Sequence, residues 1–308
     1  MSSAPVTLAG QAEDRRQFAR RGLRARQARV AYLFLTPALI YFSLFFFYPI
    51  AKEIWLSLHT GTATNIWSGL DNYRRAIHDD RVWHSFKVTF LFAFGTTLGS
   101  IVIGLGLALL LDQPLRGRIF LRSVLLFPYM ISFVIIGLMW RNILDPYVGI
   151  LNRLLNSAGL PQQYWLANYD QALPAIIAIT VWQGMGYTMV LFLAGLQGIP
   201  QDYYEAAKVD GASGWRLFLN ITLPLLTPTT LFVSIIGVIG SLQAFAQPYI
   251  ITQGGPADAT RLYVYHVFDA GFSQLDFGYA SALAFLMFIV ILVLTVVQLR
   301  IGRNNVEY

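Results

Sequence analysis

The chain has no cysteine, three lysines and four histidines among 308 residues, and only 12% of its residues are charged. Each shortage excludes something. Without cysteine there is no disulfide, no thiol nucleophile and no thiolate metal ligand. None of the lysines, Lys52, Lys87 and Lys208, follows a glycine, so no Walker A phosphate loop exists. The histidines, His59, His78, His84 and His266, form no H-E-x-x-H pair, and no serine sits in a G-x-S-x-G elbow. The sequence therefore offers no catalytic residue and no metal site. A soluble domain carries about 25% charged residues, roughly twice the share here.

What the chain has instead is apolar length. Hydrophobic residues make up 56% and aromatics 15%. Charge-free runs cover Val30–Ala51, Val88–Leu111, Ser123–Trp140, Gln171–Gln201, Leu217–Ala257 and Phe277–Leu299. A bilayer core of about 30 Å takes roughly 20 apolar residues of helix. Six such runs in one chain are foreign to soluble folds, whose helices average about 11–12 residues. The expected fold is an all-α polytopic membrane protein with six transmembrane helices. Their bounds read as about 30–51, 88–111, 123–140, 172–196, 228–252 and 277–299. The fifth starts near Pro228, because proline suits a helix start, and ends before the Gly254-Gly255-Pro256 turn.

The segments 1–30, 112–122, 197–228 and 300–308 carry 14 of the 22 Lys and Arg residues. The positive-inside rule then places both termini in the cytoplasm. The division is a basic cytoplasmic tail over 1–29, a six-span domain over 30–302 with an internal cytoplasmic loop at 200–224, and a short cytoplasmic tail over 303–308. The Arg15–Arg29 cluster reads as a topogenic signal beside the membrane rather than a nucleic-acid arm. The first apolar run is too long for a leader's hydrophobic region and reads as a retained span. No acidic or basic residue lies inside a span, so proton relays have nothing to run on. The histidines all fall outside the spans and read as surface or interface residues.

Span two carries small residues four apart, at Thr96, Ser100, Gly104 and Ala108, with Gly95 and Gly99 beside them. Such faces let helices approach closely, either within the chain or against a second membrane subunit. In span four Trp182, Gln183 and Tyr187 cluster near the middle. In span five Ser241, Gln243 and Gln247 do, the two glutamines four apart and on one helical face. Polar side chains in spans face a cavity or bond to neighbouring helices.

The most polar internal segment is the loop 200–224. Asp202 and Glu205 have the spacing of a capping box, opening a short helix over Tyr203–Val209. Gly211 permits a turn, and a second helix over Gly214–Ile221 leads to Leu223-Pro224. Alone, this bracket suits either a groove on a partner or the lipid headgroups. Its residues, Glu205-Ala206-Ala207, then Asp210-Gly211, then Ile221-Thr222-Leu223-Pro224, resemble the EAA signature of the binding-protein-dependent permeases of ABC importers. Further stretches extend the resemblance: Thr36-Pro37-Ala38, Tyr48-Pro49-Ile50, Gly69-Leu70-Asp71-Asn72-Tyr73, Leu126-Phe127-Pro128, Thr252-Gln253-Gly254-Gly255-Pro256 and Gly278-Tyr279-Ala280. Together these are similar to the carbohydrate-uptake branch, with its maltose, multiple-sugar and glycerol-3-phosphate permeases.

That resemblance implies a permease subunit in a bacterial or archaeal inner membrane, paired with a second homologous permease. It implies two ATPase subunits that hold the ATP and Mg, and an extracytoplasmic substrate-binding protein. No cofactor is expected on this chain. Glu205, Ala206, Ala207, Asp210 and Gly211 become the ATPase-coupling residues. Trp182, Gln183, Tyr187, Ser241, Gln243 and Gln247 become the path for a sugar or polyol derivative. The alternatives are the same machine carrying glycerol-3-phosphate or a glycerophosphodiester, and a stand-alone channel or secondary transporter, which would need ion-coupling carboxylates or broken helices at the midplane.

Overall fold

A computed structural model describes residues 30–60 and 66–303. The tail 1–29 and residues 304–308 lie outside it, and with them the expectations for both tails. The chain divides into two units, 1–56 and 57–308. The first contributes most of helix α1 (Val30–Ser57), which is apolar on every face and long enough to cross a bilayer. Its middle turn, Ser43–Phe47, is π-helical.

Among the described residues, the strands of the second unit are one short ladder, β1 (His59–Thr60) against β2 (Ile66–Trp67), antiparallel with His59 opposite Trp67. Then follow α2 (Asp71–His78), α3 (Asp80–Asp112), α4 (Arg118–Met130), α5 (Phe133–Ile143), α6 (Ile150–Ser157) and α7 (Tyr169–Gln197). After them come α8 (Gln201–Val209), α9 (Trp215–Leu225), α10 (Thr227–Leu242), α11 (Ala246–Ile251), α12 (Tyr263–Phe268) and α13 (Phe277–Arg303).

Helices α1, α3, α7 and α13 each have the length and apolarity of a span, and the pairs α4–α5 and α9–α10 reach it only as bent units. The expected third span, 123–140, is two helices meeting at 94°. Pro128 lies inside α4, which continues two residues past it and stops with Ile131 extended. The expected fifth span, 228–252, ends instead at Leu242, and its last part is the separate helix α11. Helix α3 begins two turns before the expected residue 88, because Asp79 caps it by accepting from the Arg81 N–H at 2.9 Å.

The core is built around α3 and α7, which pack along most of their lengths. Gly95 lies against Ile177, Gly99 against Val181 and Gly104 against Thr188, so the small face of α3 is used inside this chain. A Cβ on Gly104 would stand 2.5 Å from the Thr188 methyl. Helix α10 packs on α3 and also touches α7, where Gly195 meets Thr229, and α4 packs on α7, where Gly186 abuts the Leu125 backbone. Phe92, Phe192, Met189 and Leu226 are fully buried between these helices.

Candidate functional site

Helices α3, α4, α7 and α10 do not close completely against one another. They leave a cavity of about 230 Å³ roughly halfway along α7. From α3 come Phe92, Thr96, Thr97 and Ser100; from α7, Thr180, Tyr187 and Thr188; from α10, Gly237, Gly240 and Ser241. Tyr129 on α4 and Gln247 on α11 join them, and Gly184, Leu191, Val233 and Ile236 make up the rest of the wall. The polar groups are hydroxyls and one amide, with no charged residue in the lining.

Tyr187 stacks on Tyr129, with centroids 4.6 Å apart and planes 10° from parallel. The stack holds two flat faces and two phenol groups at one end of the cavity. Ser241 Oγ lies 2.8 Å from Thr96 Oγ1, and Thr96 also donates to the Phe92 carbonyl at 2.6 Å. This chain of hydroxyls ties α10 to α3 across the cavity wall.

The six residues singled out from the sequence separate into two groups. Tyr187, Ser241 and Gln247 are brought together in the cavity lining. Trp182, Gln183 and Gln243 are not. Trp182 packs edge-on to Trp140, with centroids 5.5 Å apart. Gln183 donates from Nε2 to the Ile131 carbonyl at 3.1 Å, satisfying backbone exposed by the break after α4. Gln243 and Gln247 do not share a helical face, because α10 ends at Leu242 and Gln247 belongs to α11; Gln243 is exposed. Sequence reasoning missed Tyr129, Thr180 and Thr188. Tyr129 follows Pro128, and that proline was the available signal that the span opens there.

The bracket over 198–226 joins the C-terminus of α7 to the N-terminus of α10. The expected capping box is not formed. Pro200 occupies the N-cap, which puts Asp202 inside the first turn, where neither it nor Glu205 can bond back. Helix α8 ends on Gly211, whose φ of +80° suits glycine. There Gly211 N–H donates to Lys208 O at 3.0 Å and Ala212 N–H to Ala207 O at 2.9 Å. Glu205, Ala206, Asp210 and Gly211 are exposed and Ala207 half-buried. Tyr204 Oη sits 3.2 Å from Thr222 Oγ1 and ties α8 to α9. Val209, at 88% exposure, and Trp215, at 70%, flank the turn. The second helix runs to Leu225 rather than Ile221 and passes through a π-turn at Phe218–Thr222. Pro224 has no N–H for the Asn220 carbonyl, which favours that wider turn.

The opposite end of the unit is polar. Tyr279 donates to Asp79 at 2.9 Å, Arg75 lies 4.0 Å over the Tyr279 ring, and Arg75 pairs with Asp276 at 2.7 Å. Burial opposes ionisation of Asp79, but the Tyr279 hydroxyl and the Arg81 N–H hold its carboxyl below the usual range. Arg261 bridges Asp258 at 2.7 Å and Asp269 at 2.9 Å. His59 and His266 are buried within the chain, where surface or interface positions were expected. His266 feels the charges of Arg261, Asp79, Asp269 and Arg81. Burial, then the Arg261 charge, lowers its pKa, so it stays neutral at physiological pH.

Residues 100–305 match the family of binding-protein-dependent transport system inner membrane components. The chain is 35% identical over 287 residues to the trehalose/maltose transport system permease protein MalF of Thermococcus litoralis, covering 91% of this chain and 96% of that protein. It is 33% identical over 283 residues to the sn-glycerol-3-phosphate transport system permease protein UgpA of Agrobacterium fabrum, covering 90% and 96%. In fold it is similar to a chain of a bacterial ABC transporter involved in the import of the acidic polysaccharide alginate. That likeness has a TM-score of 0.83 at 22% identity, over 94% of this chain and 100% of that one. The chain belongs to the binding-protein-dependent inner-membrane permeases of ABC transporters. It is a multi-pass membrane protein of the sugar and glycerol-phosphate permease type.

Proposed function

We propose that this subunit forms, with a second homologous permease, the path of an ATP-driven importer for a neutral sugar or polyol derivative. In this reading α1, α3, α4–α5, α7, α9–α10 and α13 are six spans, and both termini and the bracket face the cytoplasm. The bracket seats in an ATPase subunit through Glu205, Ala206, Ala207, Asp210 and Gly211. Two such ATPases hold ATP and Mg and perform the hydrolysis, while a substrate-binding protein delivers cargo from outside.

The observation that carries the reading is the lining of the cavity: stacked tyrosines and several hydroxyls, without charge. Sugars present apolar ring faces and many hydroxyls, and such a lining answers both. A relative that carries sn-glycerol-3-phosphate makes phosphate esters the second reading. A buried dianion needs a cation or a helix N-terminus near it, and the cavity lining supplies no Lys, Arg or His. This favours neutral cargo.

The coupling role is tested with Glu205→Arg in the complete importer, reconstituted in vesicles. Substrate-dependent ATP hydrolysis and uptake are expected to fall together, with the subunit still inserted. Wild-type rates in that variant reject the coupling assignment.

A further inference from the structure

A groove runs along the surface of the second unit where α2, α3 and α13 meet. It holds about 460 Å³ and is lined by Ile77 from α2, Trp83, Phe86 and Phe90 from α3, and Ile289 and Val290 from α13. Ile77, Trp83, Phe90 and Ile289 are exposed. Trp83 donates from Nε1 to the Ile77 carbonyl at 2.8 Å, which ties the end of α2 to α3. Phe90 also lines a second groove of about 370 Å³, which continues along α3 and α13 past Phe94, Leu98 and Leu294 to the Gln298–Ser234 bond of 3.2 Å. One charged side chain lines the first groove, Lys87, and it is exposed. Lys87 stands one residue before the charge-free run 88–111.

Between two spans of a membrane protein, such a groove is covered by an apolar helix of a partner or by a lipid chain. Lys87 decides between them. Among the described residues it forms no ion pair. None of the residues three or four away on α3, Trp83, His84, Phe90 and Leu91, is acidic, and no acidic residue lines the groove. A partner helix seated there would need an acid of its own at this depth, and acids inside spans are rare. A phospholipid carries both parts together: an apolar chain, and at its end a phosphate, which a lysine binds as a point charge. The lengths agree. Lys87 to Leu98 is about 16 Å along the axis of α3 at 1.5 Å per residue, and one leaflet contributes about 15 Å of the hydrocarbon core. Trp83, a turn before Lys87, has the amphipathic ring usual at headgroup level.

We infer that the groove between α2, α3 and α13 is a binding site for an anionic phospholipid, its acyl chain lying against Phe86, Phe90 and Val290 and its phosphate beside Lys87. The site is independent of the cargo; only its placement in the outer leaflet follows from the orientation proposed above. A zwitterionic lipid fits the groove less well, because its own ammonium group competes with Lys87 for the phosphate. One lysine near a membrane surface favours an anionic headgroup about fivefold.

The test uses the complete importer in detergent, labelled with a phosphatidylglycerol that bears a photoactivatable diazirine in its acyl chain. Peptide mass spectrometry is expected to place adducts on Phe86–Phe90 and Leu286–Val290. Unlabelled phosphatidylglycerol should displace the probe at about one fifth of the concentration needed with phosphatidylcholine. Lys87→Gln should make the two competitors equal, and Lys87→Arg should keep them apart. Lys87 is exposed, so neither variant opens the core. Equal competition by the two lipids in the wild type overturns the site, and so does a preference that survives in Lys87→Gln. Adducts that form on the purified subunit but not in the complete importer overturn it as well, because a partner helix then covers the groove.

Discussion

Tyr187 both stacks a ring face on Tyr129 and lines the cavity. Aromatic pairing contributes about 0.5–1.5 kcal/mol beyond burial, and a neutral hydrogen bond a similar net amount. Tyr187→Ala is therefore expected to slow uptake about tenfold, since 1.4 kcal/mol is a factor of ten. The affinity of the separate binding protein should not change. Initial uptake rates in vesicles check this, and an unchanged rate removes Tyr187 from the path. His266 supports a second expectation at this scale. Its folded pKa lies below the ordinary value of about 6.5, so the native state binds fewer protons than the unfolded one. Its contribution to stability is complete above pH 6.5 and drains away as pH falls toward the lowered value. Melting temperature should drop on going from pH 7.5 to 5.5, and the slope should flatten in His266→Leu. An equal slope in both proteins assigns the pH dependence elsewhere.

Among the elements, the α3–α7 contact leaves least room. Gly104→Leu pushes a side chain into Thr188 and the α7 backbone, and overpacking of this kind costs about 1–3 kcal/mol. A lower melting temperature for the purified complex is the expected result, with Gly106→Ala, which meets nothing within 4 Å, as the neutral control. Equal melting of the two would show that the helices part easily here. This contact was visible beforehand in the four-residue spacing of small residues on α3, though the choice between an internal and an external partner was not. The breaks were less legible. Composition alone makes 123–140 and 228–252 look like continuous spans, since Phe133–Trp140 and Ala246–Ile251 are as apolar as what precedes them. Pro128 carried the signal for the first break. The second, at Gln243–Phe245, precedes Pro248, which has no N–H for the Ala244 carbonyl, and packing holds it: Ala244 and Ile251 are buried in one cluster with Leu262. The glutamine pair failed for the same reason, because a four-residue spacing implies a shared face only while the helix continues.

At the scale of the molecule, the bracket residues were recognisable because their motif fixes residue types over a long stretch, whereas the cavity depends on four helices that no local pattern brings together. The division of labour proposed with separate ATPases leads to one more expectation: the purified subunit, free of its partners, should show no saturable ATP binding by equilibrium dialysis. Specific binding would contradict the absence of a phosphate loop.

The bracket is fused at both ends to helices that line the cavity, and this makes α7 a lever. Helix α7 is about 42 Å long at 1.5 Å per residue, with Tyr187 about 27 Å from the end remote from the bracket. If that far end acts as the fulcrum, a sideways push on the bracket reaches Tyr187 at about two thirds of its size. The Tyr129 ring rides on α4, which packs directly on α7 where Gly186 abuts the Leu125 backbone, and so travels with it. A few ångströms of travel at the bracket would thus carry the stacked tyrosines together past α3 and α10 and change the width of the passage without unfolding a single turn.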